Sequence, residues 1–335
     1  MWTKERPKLV IEQGGFYGCD KSADQTIPNR RVNMQYPFSA IPDRGQLKLP
    51  NGAKVALILT LNLEHWDMVK ETSEPYYAGG PAILPDTLPG NKPDFPNYTW
   101  REYGQRVGIW RLFKVFDQAG VPASCTINAK TALERSPIVD AAEQRGWEIL
   151  AHNYEQGELL SDYAHDVEKE REVISRTLDI YKQKFGRSAK GWLSSSLRGT
   201  LNTCSILAEK GMLFYCDIMN DDQPFMIDTE AGPIVSIPYT NEINDFTLLT
   251  RRGHTTAEFL DILKEELDEL LAESNEDGSG RLMNVGLHPH VSGRAYRVRA
   301  VREFLEYAKT KVGVSFVTRE EIATHYLKHH EAHIK

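Results

Sequence analysis

The segment Ala53-Lys54-Val55-Ala56-Leu57-Ile58-Leu59-Thr60-Leu61 constrains the fold most. A short, almost continuous apolar run is how a strand covered on both faces reads, as in a parallel sheet or barrel. Such strands need helices to cover them, and the chain supplies them in alternation. Periodicity predicts helices at 100–119, 137–144, 163–184, 203–210, 256–274 and 294–309. Strands are predicted between them at 122–127, 147–151, 189–193, 213–216, 234–238, 281–287 and 314–317. Thr255 reads as a helix cap, and Thr318-Arg319-Glu320-Glu321 has the pattern of a capping box that opens a last helix. This alternation implies parallel strands joined by right-handed crossovers. Seven or eight of them suit a closed or nearly closed barrel, with a doubly wound open sheet as the alternative. No GxGxxG or GxxxxGK[ST] follows a strand, so no nucleotide cofactor is expected.

Residues 1–51 show little periodicity and are rich in Pro, Arg, Asn and Gly. They read as an N-terminal arm that wraps a single barrel domain at 52–335. Within it, 73–99 is a Pro/Gly-rich stretch directly after the first strand. Loops of that length are functional or disordered, and its position favours one that covers substrate. A chain of 335 residues with 41% hydrophobic and 26% charged side chains fits one α/β barrel. The formal charge of −7 argues against a nucleic-acid partner, because neutralising phosphates takes a basic face. The four cysteines, Cys19, Cys125, Cys204 and Cys216, form no CxxC pair and read as reduced thiols. Met1-Trp2-Thr3-Lys4-Glu5-Arg6 is not followed by an apolar stretch, and no run reaches the length of a membrane span. A cytoplasmic location is the expectation, with no membrane partner.

In a parallel barrel the chemistry gathers at the carboxyl ends of strands. Four polar clusters sit there. Asn62, Glu64, His65 and Asp67 follow the first strand. Glu64 reads as a general base and His65 as a metal ligand or proton carrier. His152-Asn153-Tyr154-Glu155 follows 147–151; His152 is a metal ligand or a turn histidine bonded to a carbonyl. Leu287-His288-Pro289-His290 follows 281–287. His288 is the inward candidate; His290 supports it or lies on the surface. The fourth, Pro238 to Asp245, carries Asn241, Glu242, Asn244 and Asp245, ordinary turn residues. Asp221-Asp222 is a turn pair or a carboxylate that orients a histidine. His325, His329, His330 and His333 read as a solvated tail. A glutamate plus three histidines suits addition of water to a carbonyl, with Glu64 taking the water proton and His288 protonating the leaving nitrogen. No GxSxG elbow supports a serine nucleophile.

Several segments, in order, carry a resemblance: Leu61-Asn62-Leu63-Glu64, Tyr103-Gly104-Gln105-Arg106-Val107-Gly108-Ile109-Trp110-Arg111-Leu112, Gly146-Trp147-Glu148-Ile149, Gly191-Trp192, Asp221-Asp222-Gln223-Pro224, Pro238-Tyr239-Thr240 with Asn244-Asp245, and Val285-Gly286-Leu287-His288. From about Gly52 to His330 the chain resembles the polysaccharide deacetylase-like superfamily (carbohydrate esterase 4 type), in the branch that contains the deacetylase-type allantoinase. The resemblance implies an α/β fold, a distorted (β/α)7 barrel, and hydrolysis of an amide or ester carbonyl. The family's carboxylate pair, base then metal ligand, reads Glu64-His65 here. Its two histidines one helical turn apart read His152 and Gln156. The resemblance therefore implies zinc or another divalent metal rebuilt on His65 and His152 with Glu155 or Asp67, or a metal-free mechanism. Its late-strand acid matches His288.

Together these readings nominate Glu64 and His288 as catalytic and His65 and His152 as metal ligands. Trp66, Tyr154, Trp192, Asp222, Asn244, Asp245 and His290 are the candidate substrate contacts. The expected activity is hydrolysis of a non-peptide carbon–nitrogen bond in a small amide, cyclic amide, imide or ureide. The alternatives are an N-deacetylase of amino sugars and a non-catalytic metabolite-binding barrel. The expected partners are a small-molecule substrate and further copies of the chain, as a dimer or tetramer.

Overall fold

The computed structural model describes residues 36–68 and 92–334. The arm up to residue 35 and the loop segment 69–91, with its expected covering role, lie outside the described residues.

The strand–helix alternation is realised. β1 (Val55–Leu63) is buried throughout. It is followed by α1 (Phe95–Tyr103), α2 (Ile109–Ala119), β2 (Ser124–Ile127), α3 (Ala129–Glu134), α4 (Ser136–Gln144), β3 (Glu148–Ala151) and α5 (Val167–Phe185). Then come β4 (Gly191–Trp192), α6 (Thr203–Glu209), β5 (Phe214–Tyr215), β6 (Phe225–Ile227) and β7 (Ile234–Ser236). The series closes with α7 (Thr256–Asp277), β8 (Arg281–Leu287), α8 (Val298–Lys309), β9 (Val314–Phe316) and α9 (Arg319–His329). The strands form one curled sheet in the order β6-β7-β5-β4-β3-β2-β1-β8, with β9 beside the start of β1. All pairings among the described residues are parallel except β6 with β7. Six residues join β6 to β7, too few for a parallel crossover. The sheet is a half-barrel rather than a hydrogen-bonded ring, since β6 and β8 are its two ends. No helix among the described residues is long and apolar enough to cross a membrane.

Strand side chains alternate between faces, and this decides where the chemistry lies. On β1, Val55, Leu57, Leu59, Leu61 and Leu63 enter the large apolar cluster under the helices. Ala56 and Ile58 enter a second, smaller cluster on the concave face. Thr60 and Asn62 share their parity. On β8, Met283, Val285 and Leu287 join the first cluster and Leu282 the second, so Asn284, Gly286 and then His288 follow the concave face. Leu150 of β3 leads to His152 in the same way. The lower concave face is plugged by Arg319, fully buried, which donates to Thr60 Oγ1 at 2.7 Å.

Several local expectations shift. The helix at 100–119 is broken by a π-helical turn at Gly104–Gly108. Gly104 and Gly108 press against the backbone of Pro289 and His290, where a Cβ has no room. α1 starts inside the Pro/Gly-rich stretch, with Asp94 accepting from the Asn97 N–H. Thr255 and Thr318 both form capping boxes. Residues 36–51 join the body: Arg44 pairs with Asp221 at 2.7 Å, and Leu47 and Leu49 are buried. The tail is not wholly solvated. His333 is buried, with Tyr326 donating to Nδ1 and Nε2 meeting Gln223 Oε1 at 3.0 Å.

Candidate active site

The carboxyl ends of β1, β3 and β8 meet around a cavity of about 490 Å³. Glu64, His152 and His288 all line it, with Asn62, Trp66, Gln156, Tyr239 and Asn244. Its size falls in the range of small-molecule sites.

Glu64 and His288 face each other, Oε1 to Nε2, at 3.4 Å. The other Glu64 oxygen accepts from Trp66 Nε1 at 3.0 Å. Trp66 is itself covered by the Arg101 guanidinium, 3.5 Å from its ring centroid. Behind His288, Asp245 binds Nδ1 at 2.7 Å and the His288 backbone N–H at 2.7 Å, and it also accepts from Ser292 Oγ. Burial works against the charge on both groups, yet their mutual attraction wins. Burial would raise Glu64, but the His288 charge brings it down to about 2. Burial would lower His288, but Asp245 and then Glu64 bring it up to about 10. At neutral pH the site holds a carboxylate and an imidazolium, with the imidazolium oriented by a second, fully buried carboxylate.

His152 and His290 are both held below the usual imidazole range. His152 places Nδ1 on the Leu193 carbonyl, so Nε2 is its acceptor; that atom is buried without a partner among the described residues. Burial lowers its pKa. His290 is driven well below the usual imidazole range by burial and then by the His288 charge. It packs edge-on to Trp100 at 4.6 Å and lies 5.7 Å from His288, off the cavity wall.

Besides His290, five of the sequence candidates lie off this cavity wall. His65 does not join His152: the alternation sends it to the opposite side from Glu64, where Nε2 meets Asp67 at 3.1 Å. Tyr154 lies beneath the Arg176 guanidinium at 3.9 Å rather than in the cavity. Trp192 is fully buried under the helices and donates Nε1 to Ser194 Oγ. Asp222 sits at the opposite end of the sheet, where its carbonyl accepts from Leu282 N at the start of β8. Asp245 stands behind His288 as a positioning residue and off the cavity wall. Two residues went unnoticed, one position past β2 and two positions past β5. Asn128 after β2 accepts from the His65 N–H and donates to the His152 carbonyl. Asp217, just past β5, binds the Ser194 N–H at 2.7 Å. The strand-end rule applied to every strand finds both.

The family fold raises the question of a divalent ion. The three matching positions carry His65, His152 and Gln156. His65 turns to Asp67, and the two candidate third ligands, Asp67 and Glu155, are both bound to Lys130 at 2.8 and 3.2 Å. Among the described residues no three His, Cys, Asp or Glu side chains are grouped to hold a metal. This donor set does not fit the ion.

A curled parallel half-barrel with an acid–base pair at the carboxyl ends of its strands is the architecture of the polysaccharide deacetylase fold. No family model matches the chain. A Schizosaccharomyces pombe protein provisionally named a polysaccharide deacetylase is 28% identical over 306 residues, covering 82% of this chain and 90% of its own length. A solved structure described as a probable polysaccharide deacetylase from Pseudomonas aeruginosa PAO1 has 28% identity and a TM-score of 0.76, over 88% of this chain and 99% of that one. The Puue allantoinase has 29% identity and a TM-score of 0.75, over 88% and 98%. Over most of its length the chain is therefore similar to proteins of the polysaccharide deacetylase-like superfamily.

Proposed function

We propose that this protein hydrolyses a carbon–nitrogen bond in a small amide, cyclic amide, imide or ureide. The observation that carries the reading is the Glu64–His288–Asp245 line, with Glu64 and His288 open to a cavity of small-molecule size. Water held by Glu64 gives it a proton as its oxygen adds to the carbonyl carbon. The carbon–nitrogen bond then breaks as His288 Nε2 delivers its proton to the departing nitrogen. Glu64 is left protonated and His288 neutral; at 3.4 Å one proton transfer between them restores the starting pair. A substrate inserted between the two separates their charges, so both pKa values move back toward neutrality where proton transfer is most efficient.

The cavity wall supports the substrate class. His152 Nε2 and Gln156 Oε1 are buried acceptors without partners among the described residues. Leaving such atoms unpaired costs about 1–3 kcal/mol each, and the N–H groups of an amide or ureide would satisfy them. The Puue allantoinase likeness points the same way.

The test is a panel of cyclic ureides, imides, linear amides and N-acetylglucosamine oligomers, with product detection. Glu64→Gln and His288→Ala are each expected to lower kcat by about 10²–10⁴ on the substrate found. Full turnover in either variant overturns the roles. Acetate release from the sugar oligomers alone would move the reading to N-deacetylation. Tight binding without any hydrolysis would make the barrel a binding protein.

A further inference from the structure

The segment Ser194–Gly199 after β4 is built more tightly than its position requires. Ser196 and Leu197 are consecutive non-glycine residues with φ of 58° and 57°. Each such residue costs about 1–3 kcal/mol and persists only when its surroundings force it. Asp217 does the forcing. Its carboxylate accepts from Ser194 N at 2.7 Å and from Gly199 N at 3.1 Å, the two ends of the loop. Tyr215 also donates to it at 2.8 Å. At Gly199 a Cβ would collide with Tyr215 and Asp217, so the clamp closes on a residue without one. Between the two ends, Asn128 donates to Ser195 Oγ at 3.2 Å and ties the loop to the end of β2.

The clamp sets Ser196, Leu197 and Arg198 into the cavity wall. Several arginines outside the cavity, Arg44, Arg145, Arg171, Arg187 and Arg281 among them, each meet a carboxylate. Arg198 has no carboxylate partner among the described residues. Among the described residues, the charged groups lining the cavity are Glu64, His288, Arg198 and Arg251. Among the described residues Glu64 is already matched by His288, which leaves the Arg198 guanidinium on the wall without a carboxylate.

We propose that Ser194–Gly199 is a preformed specificity loop whose Arg198 binds a substrate carboxylate, so that the molecule hydrolysed is an anionic amide or ureide. The planar guanidinium matches a carboxylate in a two-point contact, and the loop held by Asp217 presents it from a backbone that needs no reordering on binding. This rests on the hydrolase reading for the reaction and goes beyond it in naming the substrate's charge.

The experiment uses matched probes on the full chain: hydantoin-5-acetic acid against hydantoin-5-acetamide, and N-carbamoyl-β-alanine against its carboxamide. Calorimetry is expected to show the acid of at least one pair binding about 10- to 100-fold tighter than its amide, the range of a charge-assisted contact. Arg198→Ala, an exposed position, should erase the preference of acid over amide; Arg198→Lys should keep part of it. Asp217→Asn should weaken acid binding selectively, raising KM for an acid substrate with little effect on kcat. Equal binding of acid and amide, no binding of either, or a preference that survives Arg198→Ala overturns the proposal. Hydrolysis is followed separately. Acid preference without turnover of any probe sinks the hydrolase reading and leaves the anion site standing; Glu64-dependent turnover without acid preference does the reverse.

Discussion

Replacing Asp245 with Asn removes one charge and little volume from behind His288. A carboxylate in a 2.7 Å bond with an imidazolium places opposite charges about 4 Å apart, worth about 4 kcal/mol at an effective dielectric constant of 20. That moves a pKa by about 3. His288 should therefore fall from about 10 to about 7, with Glu64 still opposite it. The alkaline limb of kcat/KM, which reports the essential acid of the free enzyme, should move down by the same amount. At pH 8.5 about 3% of His288 would then carry its proton, so kcat/KM should drop about 30-fold beyond any loss seen at pH 6. The same change is readable without substrate, by NMR titration of the His288 ring. An unmoved alkaline limb, or an equal loss at both pH values, would refute the claim that Asp245 keeps His288 charged. Stability follows the same groups. The His288 contribution is full below pH 6.5 and is lost as pH rises through about 10; that of Glu64 is full above pH 4.5 and is lost as pH falls through about 2.

Two further outcomes can be measured directly. Gly286→Ala sets a Cβ against Tyr239 Oη and Asn244 Nδ2; thermal or denaturant unfolding should show a loss of about 1–3 kcal/mol, and turnover should fall with it because both residues line the cavity. Burial, and then the nearby Arg44 charge, lower His333 to about 4. The unfolded chain thus binds more protons between pH 4 and 6.5, and stability should decline as pH falls through that window; His333→Gln should flatten the decline, and an unchanged slope would count against the buried placement.

The site was legible where it lies along one strand. The apolar run at 55–61 announces a strand, and its period of two carries the concave face from Ala56 and Ile58 to Glu64. The same parity runs from Leu282 to His288. The sequence reading paired His65 with His152 as metal ligands, whereas the same alternation turns His65, the neighbour of Glu64, to Asp67. The π-helical turn was marked by Gly104 and Gly108, but their reason, contact with Pro289 and His290, lies far along the chain.

What remained hidden depends on which strand ends are neighbours. Asp245 and His288 are separated by 43 positions, and nothing in either segment pairs them. Asp222 and Asp217 look alike as acids near a strand end, yet one sits beside the start of β8 and the other clamps the loop that bears Arg198. The sequence by itself determined the layers, the alternation of faces and the chemical types available at each strand end, because those follow from local periodicity and side-chain chemistry. The tertiary structure alone decided which carboxylate meets which imidazole, because sheet order and register fix distances between segments, and an ion pair exists only at a few ångströms.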